Sequence, residues 1–389
     1  MTVQQAPLGE LAEVLSGGTP KRSNPDFFDG DVPWVKIGDM LQGRIEVTDE
    51  TISRSGLEGS SAKLLPAGTL LLSIFATIGR TATLGIDAAT NQAIAGIRIL
   101  DPGHLDQDYL RRYLEFTSHG LAAKGRGVAQ MNINLSILRA HRIPLPPIEE
   151  QRRIAAILDA ADALRAKRRQ GLAKLDTLTQ AIFIDMFGDP VSNPRNLKFE
   201  LMVEHIESAT YGTSKKASLG GELPVLRMGN ITYEGQISLH DLKYIELDEG
   251  DFPKHTVQFG DVLFNRTNSA ELVGKTAVYR HENPVAYAGY LVRLRAKPTL
   301  HPEYLGAFMN LPYTKQTLRS MCKSIVGMAN INAREVQKIT VPIPPINEQE
   351  TFAKKRAFIE QQSKKFESDY KKLEDLFASL QQRAFRGEL

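Results

Sequence analysis

Two copies of one sequence pattern make up this chain, and that internal repeat constrains the fold more than any other feature. Motifs around a Pro-Pro pair and around two asparagines return at a single offset. They are Ile143-Pro-Leu-Pro-Pro-Ile148 with Val341-Pro-Ile-Pro-Pro-Ile346, Glu150-Gln151 with Glu348-Gln349, and Asn132-Ile-Asn134 with Asn330-Ile-Asn332. Self-similarity at a fixed period indicates repeated structural units, so we expect one fold to occur twice.

Upstream of these motifs the match continues with small shifts in spacing. The paired segments are Trp34-Val-Lys-Ile-Gly-Asp39 with Val225-Leu-Arg-Met-Gly-Asn230, Gly68-Thr-Leu-Leu-Leu-Ser73 with Gly260-Asp-Val-Leu-Phe264, Gly79-Arg-Thr-Ala82 with Gly274-Lys-Thr-Ala277, and Tyr109-Leu110 with Tyr304-Leu305. The apolar frame repeats while many polar positions differ. This favours two copies of one fold that present two different surfaces; the alternative is a duplication that serves only a two-fold scaffold.

The first part of each copy, residues 1–147 and residues 190–345, has a mixed pattern. Apolar, β-branched runs broken by Gly and Pro are typical of strands, and they occur at Val32–Ile37, Leu70–Phe75 and Ala93–Leu100. A helical pattern follows around Asp106–Ser118, with its counterpart around Pro302–Leu311. Each of these parts is therefore predicted to be an α+β globular domain.

The second part of each copy, residues 148–189 and 346–389, is predicted to form a long helix. Residues 148–187 and 346–386 contain almost no Gly or Pro and are rich in residues that favour helix. Each run follows a Pro-Pro pair, which ends the preceding strand and suits a helix start. A helix of about 40 residues would extend roughly 60 Å, at 1.5 Å per residue.

A seven-residue apolar period runs through both predicted helices and indicates a coiled coil. The first helix has rows Ile154, Ala161, Arg168, Leu175, Ile182 and Ile157, Leu164, Gly171, Leu178; the second has Phe352, Ile359, Phe366, Leu373, Leu380 and Arg356, Ser363, Tyr370, Phe377, Ala384. Arg168, Gly171, Arg356 and Ser363 interrupt the rows. Antiparallel pairing of the two helices explains these interruptions, because the weak stretches can fit one partner; the alternative is that each helix packs on its own domain.

Composition excludes several classes of protein. The net charge is only +3, and residues 1–147 carry 14 Lys+Arg against 15 Asp+Glu, so a polyanion-binding surface must be a local patch. The single cysteine, Cys322, excludes an internal disulfide framework and a cysteine zinc site, and it fits a reducing cytosol. MTVQQAPLGE lacks the features of a signal peptide, and Thr69–Gly79 is too short to span a bilayer, so we expect a soluble, cytoplasmic protein.

The sequence matches none of the catalytic motifs that its residues suggest at first sight. Val273-Gly-Lys-Thr276 ends like a P-loop, but Ser269 stands where the required glycine belongs, and the repeat has Gly79-Arg-Thr81 at the matching place. The Pro-Pro pairs precede Ile148 and Ile346, so they lack the aromatic residue of an amino-methyltransferase pocket. The eight His lack metal-ligand spacing, and no metal site is predicted. Recognition without catalysis fits the residues best.

The doubled order of these motifs resembles the specificity subunit of type I restriction–modification systems, which are prokaryotic. The resemblance covers essentially the whole chain. It is carried by the repeated Pro-x-Pro-Pro-Ile-x-Glu-Gln, by Ala181-Ile-Phe-Ile-Asp-Met-Phe-Gly-Asp-Pro190, and by Arg383-Ala-Phe-Arg-Gly-Glu-Leu389. It implies two tandem target-recognition domains, in a pseudo-two-fold repeat, joined by two long antiparallel coiled-coil helices.

The resemblance also implies a function. Such subunits read a bipartite, asymmetric target in double-stranded DNA, one half per domain, and their helices set the gap and dock two methyltransferase subunits. Restriction and translocase subunits can join. S-adenosylmethionine, ATP and Mg would then be bound by the partner subunits, and this chain would hold no cofactor and perform no catalysis.

Candidate DNA contacts are Lys, Arg and Asn residues, because these side chains reach phosphates and base edges. The candidates are Lys21, Arg22, Lys36, Arg80 and Arg126 in the first domain, and Lys215, Lys216, Arg227, Arg266, Asn268 and Lys275 in the second. The candidates for partner docking on the outer helix faces are Arg152, Arg153, Arg165, Arg169, Lys354, Lys355, Lys364 and Lys365. For every one of them the alternative is an ordinary solvated surface charge.

Three other functions stay open at the level of sequence. A complete enzyme, such as a lone methyltransferase, would bind its cofactor by itself. A coiled-coil adaptor with two protein-binding domains would lack DNA affinity even with its partners. A type I-like specificity protein could serve a different effector, since the effector is encoded elsewhere.

Overall fold

The computed structural model describes residues 4–75, 77–124, 133–269, 272–325 and 328–389. The chain divides into two compact units: unit 1 is Met1–Lys167 with Tyr370–Leu389, and unit 2 is Arg168–Asp369. Each unit combines one globular part with halves of both long helices. The sequence-based division sets the helices apart as separate segments, and it stays a prediction.

Unit 1 contains three sheets, and their described elements follow the predicted α+β pattern. The strands are β1 (Gln5–Pro7), β2 (Ala12–Ser16), β3 (Phe28–Val35), β4 (Arg44–Ile45), β5 (Glu50–Ile52), β6 (Leu70–Ser73), β7 (Thr81–Leu84), β8 (Ala89–Thr90), β9 (Ile94–Ile99) and β10 (Arg142–Pro144). The helices are α1 (Leu8–Leu11), α2 (Arg54–Glu58), α3 (Gln107–Lys124), α4 (Leu135–Arg139) and the first half of α5 (Ile148–Phe187). The sheet orders are β2-β9-β6-β7-β4, β5-β3-β8 and β1-β10.

Unit 2 repeats most of this arrangement. Its strands are β11 (Phe199–Leu201), β12 (Ile206–Tyr211), β13 (Leu223–Leu226), β14 (Lys243–Ile245), β15 (Thr256–Val257), β16 (Val262–Asn265), β17 (Thr267–Asn268), β18 (Thr276–Val278), β19 (Val285–Tyr287), β20 (Leu291–Ala296), β21 (Lys323–Ile325), β22 (Met328–Asn330) and β23 (Thr340–Pro342). Its helices are α6 (Met202–His205), α7 (Phe252–His255), α8 (Pro302–Asn310), α9 (Pro312–Met321), α10 (Ala333–Val336) and the first half of α11 (Ile346–Arg386). The sheet orders are β12-β20-β16-β18, β14-β13-β19-β15, β17-β22-β21 and β11-β23.

The two units share strand order as well as sequence motifs, which confirms the predicted duplication of one fold. β2-β9-β6-β7 corresponds to β12-β20-β16-β18, and β5-β3-β8 corresponds to β14-β13-β19. Even the parallel pairs agree, because Trp34 pairs with Ala89 in one unit and Val225 pairs with Ala286 in the other. The two units differ at α3. Its counterpart in unit 2 is divided into α8 and α9, because Pro312 starts a new helix.

Both long helices have the predicted bounds. α5 begins directly after Pro147 and α11 directly after Pro345, and each ends one residue before a glycine. Gly188 (φ 84°) and Gly387 (φ 75°) lie in the left-handed region that glycine enters without steric cost. The Phe-Gly and Arg-Gly steps therefore act as helix stops.

The two helices are antiparallel within each unit. In unit 1, Arg165 pairs with Glu374 at 2.7 Å, and Arg153 donates to the Leu389 carbonyl at 2.8 Å. In unit 2, Arg168 lies 4.3 Å from the ring centroid of Phe366, and the Phe183 and Phe352 rings are 5.6 Å apart. Residue numbers rise along one helix as they fall along the other.

The predicted coiled-coil rows are confirmed for α11 and only in part for α5. In α11 the residues of both rows are buried or half-buried. In α5 the row from Ile154 to Ile182 faces its packing partners, but Leu164 and Leu178 of the companion row are 56% and 39% exposed. The prediction of that companion row is wrong at those two positions, because Leu158 (0% exposed) and Phe183 (0% exposed) lie on the packed side of the helix.

Each helix also contributes to the hydrophobic core of a globular part. In unit 1, Phe385 contacts Tyr109, Tyr113 and Phe116 with ring centroids 5.1–5.7 Å apart. In unit 2, the matching residue Phe187 contacts Tyr304 at 4.9 Å. The helices are thus part of the cores, and their ends hold α3 and α8 in place.

Candidate nucleic-acid interface

Residues of the motifs that occur in both copies have structural roles. Asn134 and Asn332 each cap a short helix, accepting hydrogen bonds from the main-chain N–H of Ile137 and Glu335. Ile133 and Ile331 are buried, and their N–H groups donate to the carbonyls of Ile74 and Arg266. These repeated residues set the backbone on which the variable positions stand.

The repeated glutamine fixes the start of each long helix. Gln151 is 1% exposed; its carbonyl oxygen accepts from the Asp106 N–H, and its amide donates to the carbonyls of His104 and Pro146. Gln349 is fully buried and makes the matching three bonds to the main chain of His301, Thr299 and Pro344. The glutamine of the Glu-Gln signature is therefore a structural clamp.

The repeated Gly-Arg/Lys-Thr segment is a turn, as the failed P-loop pattern predicts. Gly79 and Gly274 have φ of 90° and 81°, so both need a residue without a side chain. Lys275, which follows Gly274, is 9% exposed, and its Nζ donates to the carbonyls of Met228 and Ile231. The prediction that Lys275 contacts DNA is therefore corrected, because its ammonium group points into the protein.

Two candidate cations of unit 1 converge on one carboxylate. Arg22 and Lys36 lie 2.8 and 2.7 Å from the oxygens of Glu50. The hydrogen bond with Glu50 raises the pKa of Lys36, and it lowers the pKa of Glu50. The Arg22 guanidinium also lies 4.6 Å from the Phe28 ring centroid. This cluster can present two donors at fixed spacing, with one negative charge between them.

The other candidates of unit 1 stand apart from that cluster. Lys21 is exposed beside it in sequence, and Arg80 is half-buried on the Gly79 turn. Arg126 lies outside the described residues.

In unit 2, two candidates are held by acidic partners distant in sequence. Lys215 lies 2.9 Å from Asp248, which raises the pKa of the lysine. Arg227 donates to the main-chain carbonyl of Asp241 at 2.6 Å and lies 3.3 Å from its carboxylate. These pairs are partly exposed, so a phosphate could exchange with the carboxylate. Lys216 is exposed.

Arg266 and Asn268 lie at the join of β16 and β17. The Arg266 guanidinium is 4.8 Å from the Tyr211 ring centroid and donates to the Asn330 side-chain oxygen at 3.2 Å and, more weakly, to the Gly289 carbonyl at 3.4 Å. Asn268 is half-buried, and its side-chain oxygen accepts from the Ser269 N–H. Exposed Tyr290 follows Gly289, so arginine, amide and aromatic groups meet on this face.

The candidate docking residues on the helices are of two kinds. Arg152, Arg153 and Lys364 form short-range ion pairs with neighbours on or near their own helix, and Arg169, Lys354, Lys355 and Lys365 are exposed. Arg165 differs, because it pairs with Glu374 and stacks on the Phe377 ring at 4.1 Å. The prediction that Arg165 lies on the outer face of its helix is therefore wrong, because this residue lies in the contact between the two helices.

Comparison with known proteins decides the family. A sequence model described as the type I restriction modification DNA specificity domain matches residues 2–174 and 203–378, one match per repeat. The chain belongs to this family. The resemblance seen in its motifs is confirmed.

Two relatives support this, one over nearly its full length and one over about half. The chain is 22% identical to the type I restriction enzyme EcoKI specificity subunit of Escherichia coli (strain K12), covering 99% of this chain and 88% of that protein. The E. coli EcoR124I/EcoR124II specificity subunit is 28% identical over 46% of this chain and 45% of its own length.

Solved structures show the same fold. A chain from a type I restriction–modification system, in a study of its assembly and conformational transition, matches with a TM-score of 0.64 and 18% identity over 99% of this chain and 98% of its own. The S subunit of the type I system of M. genitalium matches with a TM-score of 0.58 and 14% identity over 99% and 96%. Two tandem specificity domains with long helices are therefore the architecture of this chain.

Sequence reasoning missed the partners that define the candidate sites. Glu50, Asp248 and Asp241 neutralise predicted cations, and Tyr211 supports Arg266 from 55 positions away. Glu50 and Asp241 each lie 14 positions after the matched cations Lys36 and Arg227, whereas no spacing pointed to Asp248 or Tyr211. The repeat does carry a usable signal. Positions that differ between structurally matched sites distinguish the surfaces of the two copies.

Two further features bear on other functions. No helix in the described part of the chain is long and apolar enough to cross a membrane. Glu200, Glu204 and His205 have ligand atoms close enough to hold a metal ion. Both ring nitrogens of His205 are already hydrogen-bonded, to Glu200 at 2.6 Å and to Thr299 at 2.9 Å, so this group fits a structural role.

Proposed function

We propose that this chain is the DNA-reading subunit of a type I restriction–modification complex and recognises a bipartite, asymmetric target. Each globular part reads one half of that target. The chain itself carries out no catalysis, and it works in the prokaryotic cytoplasm.

One observation carries this proposal: the two copies share their scaffold but differ where side chains reach the surface. The helix caps, the glutamine clamps and the glycine turns match residue for residue. The surface clusters match only in part. Lys36 beside Glu50 corresponds to Arg227 beside Asp241, but Arg22 joins the first pair, and Arg266 beside Tyr211 stands where unit 1 has the buried Ile74. Two different surfaces on one scaffold suit two different DNA half-sites.

The helices are proposed to fix the gap between the half-sites and to dock two methyltransferase subunits. The exposed cations Arg169, Lys354, Lys355 and Lys365 are the proposed docking contacts, together with Arg152, Arg153 and Lys364. Restriction and translocase subunits complete the complex. S-adenosylmethionine, ATP and Mg are assigned to these partners.

The proposal is tested by co-expressing the chain with the methyltransferase subunit of the proposed complex and mapping methylated adenines across the host genome. We expect one bipartite motif that disappears when this chain is omitted. The purified complex should bind a duplex with that motif more tightly than a scrambled duplex when both are measured at the same salt concentration. Methylation that is unaffected by omission, with no DNA binding by the complex, would leave a protein-binding adaptor as the better assignment.

A further inference from the structure

Arg266 differs from the other candidate cations in what holds it. Lys36, Lys215 and Arg227 each lie close to a carboxylate, and Lys275 is buried against carbonyls. No carboxylate in the described part of the chain lies within ion-pair distance of the Arg266 guanidinium. Its contacts are the Tyr211 ring, the Gly289 carbonyl and the Asn330 amide oxygen, so its positive charge is not neutralised.

The side chain and main chain of Arg266 are both fixed in position. Its N–H donates to the Tyr290 carbonyl and its own carbonyl accepts from the Ile331 N–H, each at 3.0 Å. The ring under the guanidinium is held as well, because the Tyr211 hydroxyl accepts from the Ala333 N–H at 2.9 Å. A guanidinium ordered in this way loses little conformational entropy when it binds a ligand.

The first copy of the repeat shows that the scaffold does not require an arginine here. Ile74 occupies the matching position, because the Ile133 N–H donates to its carbonyl just as the Ile331 N–H donates to that of Arg266. Ile74 is 3% exposed and packs in the core of unit 1. The same backbone site thus accepts a buried apolar residue in one copy and a charged, half-buried residue in the other.

We infer that Arg266 reads a guanine in the half-site recognised by unit 2, an inference that rests on the proposed function. A planar guanidinium with free N–H groups on both terminal nitrogens matches the O6 and N7 acceptors of guanine in the major groove. Lysine binds phosphate as a point charge that needs no fixed orientation, so exposed Lys216 would suffice for a phosphate contact. The fixed orientation of Arg266 is of use mainly where two acceptors must be met in one plane.

The test replaces Arg266 by the residue that the first copy carries. Arg266→Ile, co-expressed with the methyltransferase, is expected to fold and to methylate a motif in which one guanine of one half-site has become degenerate. The other half-site should be unchanged. In a binding assay, discrimination at that base pair should fall by about 5- to 150-fold, the range for one bidentate contact.

Two matched variants separate base reading from other roles. Tyr211→Leu leaves the charge but releases the guanidinium, so it should weaken discrimination at the same base. Lys216→Ala should leave the motif intact and weaken all duplexes alike, with the salt slope reduced by about 1. If Arg266→Ile behaves like Lys216→Ala, or changes nothing, the inference is overturned while the proposed function stands. A wild-type chain that confers no motif overturns both.

Discussion

At the scale of single residues, a buried charge cluster ties α8 of unit 2 to its long helix. Arg280 holds the Glu303 carboxylate with two bonds, at 2.6 and 2.7 Å, and buried Arg356 reaches it at 2.8 Å. Burial opposes ionisation of Glu303, but the two arginines outweigh it, so the pKa of Glu303 lies below its usual range. Its contribution to stability is therefore present above the unfolded pKa of about 4.3 and is lost as the pH falls through the lower folded value.

Glu303→Gln is expected to destabilise unit 2 by about 3 kcal/mol at neutral pH, because buried Arg356 and half-buried Arg280 lose the carboxylate that they share and, of the described carboxylates, only Glu360, 3.4 Å from Arg280, remains. The difference from wild type should begin to shrink as the pH falls below about 4.3, because the unfolded state then takes up a proton, and it should be lost below the lowered folded pKa of Glu303. Calorimetric unfolding at several pH values measures this. Glu367→Gln, at an exposed position of α11, is the control and should leave the curve unchanged. A constant difference at every pH would contradict the assignment.

Single residues also show what a sequence can and cannot predict. Arg22, Lys36 and Arg266 do lie at or near the surface, as expected for candidate contacts. Lys275 does not, although its turn was recognised, because the direction of a lysine side chain depends on carbonyls 44 and 47 positions away. Which cations are neutralised depends on carboxylates brought close only by the fold.

At the scale of elements, long regular patterns were predicted best. α5 and α11 have the expected bounds because helix-forming residues, a preceding Pro-Pro pair and a terminal glycine agree at both ends. The packed face of α5 was harder to predict. Leu164 and Leu178 fit a heptad, yet the helix also packs on a globular part, and that second contact turns them towards solvent.

Gly171 illustrates how an apparent defect in a heptad can be a fitted contact. A Cβ at this position would lie 3.1 Å from Cε1 of Phe366, closer than normal side-chain packing. Phe366 also carries Arg168 on its ring, at 4.3 Å. The two interruptions in α5, Arg168 and Gly171, thus match one large residue of α11.

Gly171→Leu should destabilise the helix pair by about 1–3 kcal/mol through overpacking, although it regularises the heptad and removes a helix-breaking glycine. Adding Phe366→Ala should recover part of this loss. In a double-mutant cycle the combined destabilisation should therefore be smaller than the sum of the two single destabilisations. Thermal unfolding of the four proteins measures it. Ala173→Leu, two positions away and exposed, controls for the added leucine. Additive effects of Gly171→Leu and Phe366→Ala would refute the fit.

At the scale of the whole molecule, each unit is assembled from distant parts of the chain. Phe377 and Ala384 of α11 are in the core of unit 1, whereas Phe183 and Phe187 of α5 are in the core of unit 2. A change in one helix alone therefore alters the register of its partner and the packing of a globular part. On the proposed function, we therefore expect a change in the gap between half-sites to require matched changes in both helices.

Deleting one heptad from each helix, residues 167–173 together with residues 365–371, is expected to keep both half-sites and shorten the gap between them. The two segments contain Gly171, Arg168 and their partners Phe366 and Asp369, so fitted residues leave together and the heptad phase is kept. Seven residues shorten a helix by about 10 Å, equal to roughly three base pairs. Methylome mapping of cells carrying this variant measures the gap. Deleting 365–371 alone should instead lower the unfolding temperature, because the remaining α5 residues lose their register. A shortened chain that methylates with the original gap would show that the helices do not set it.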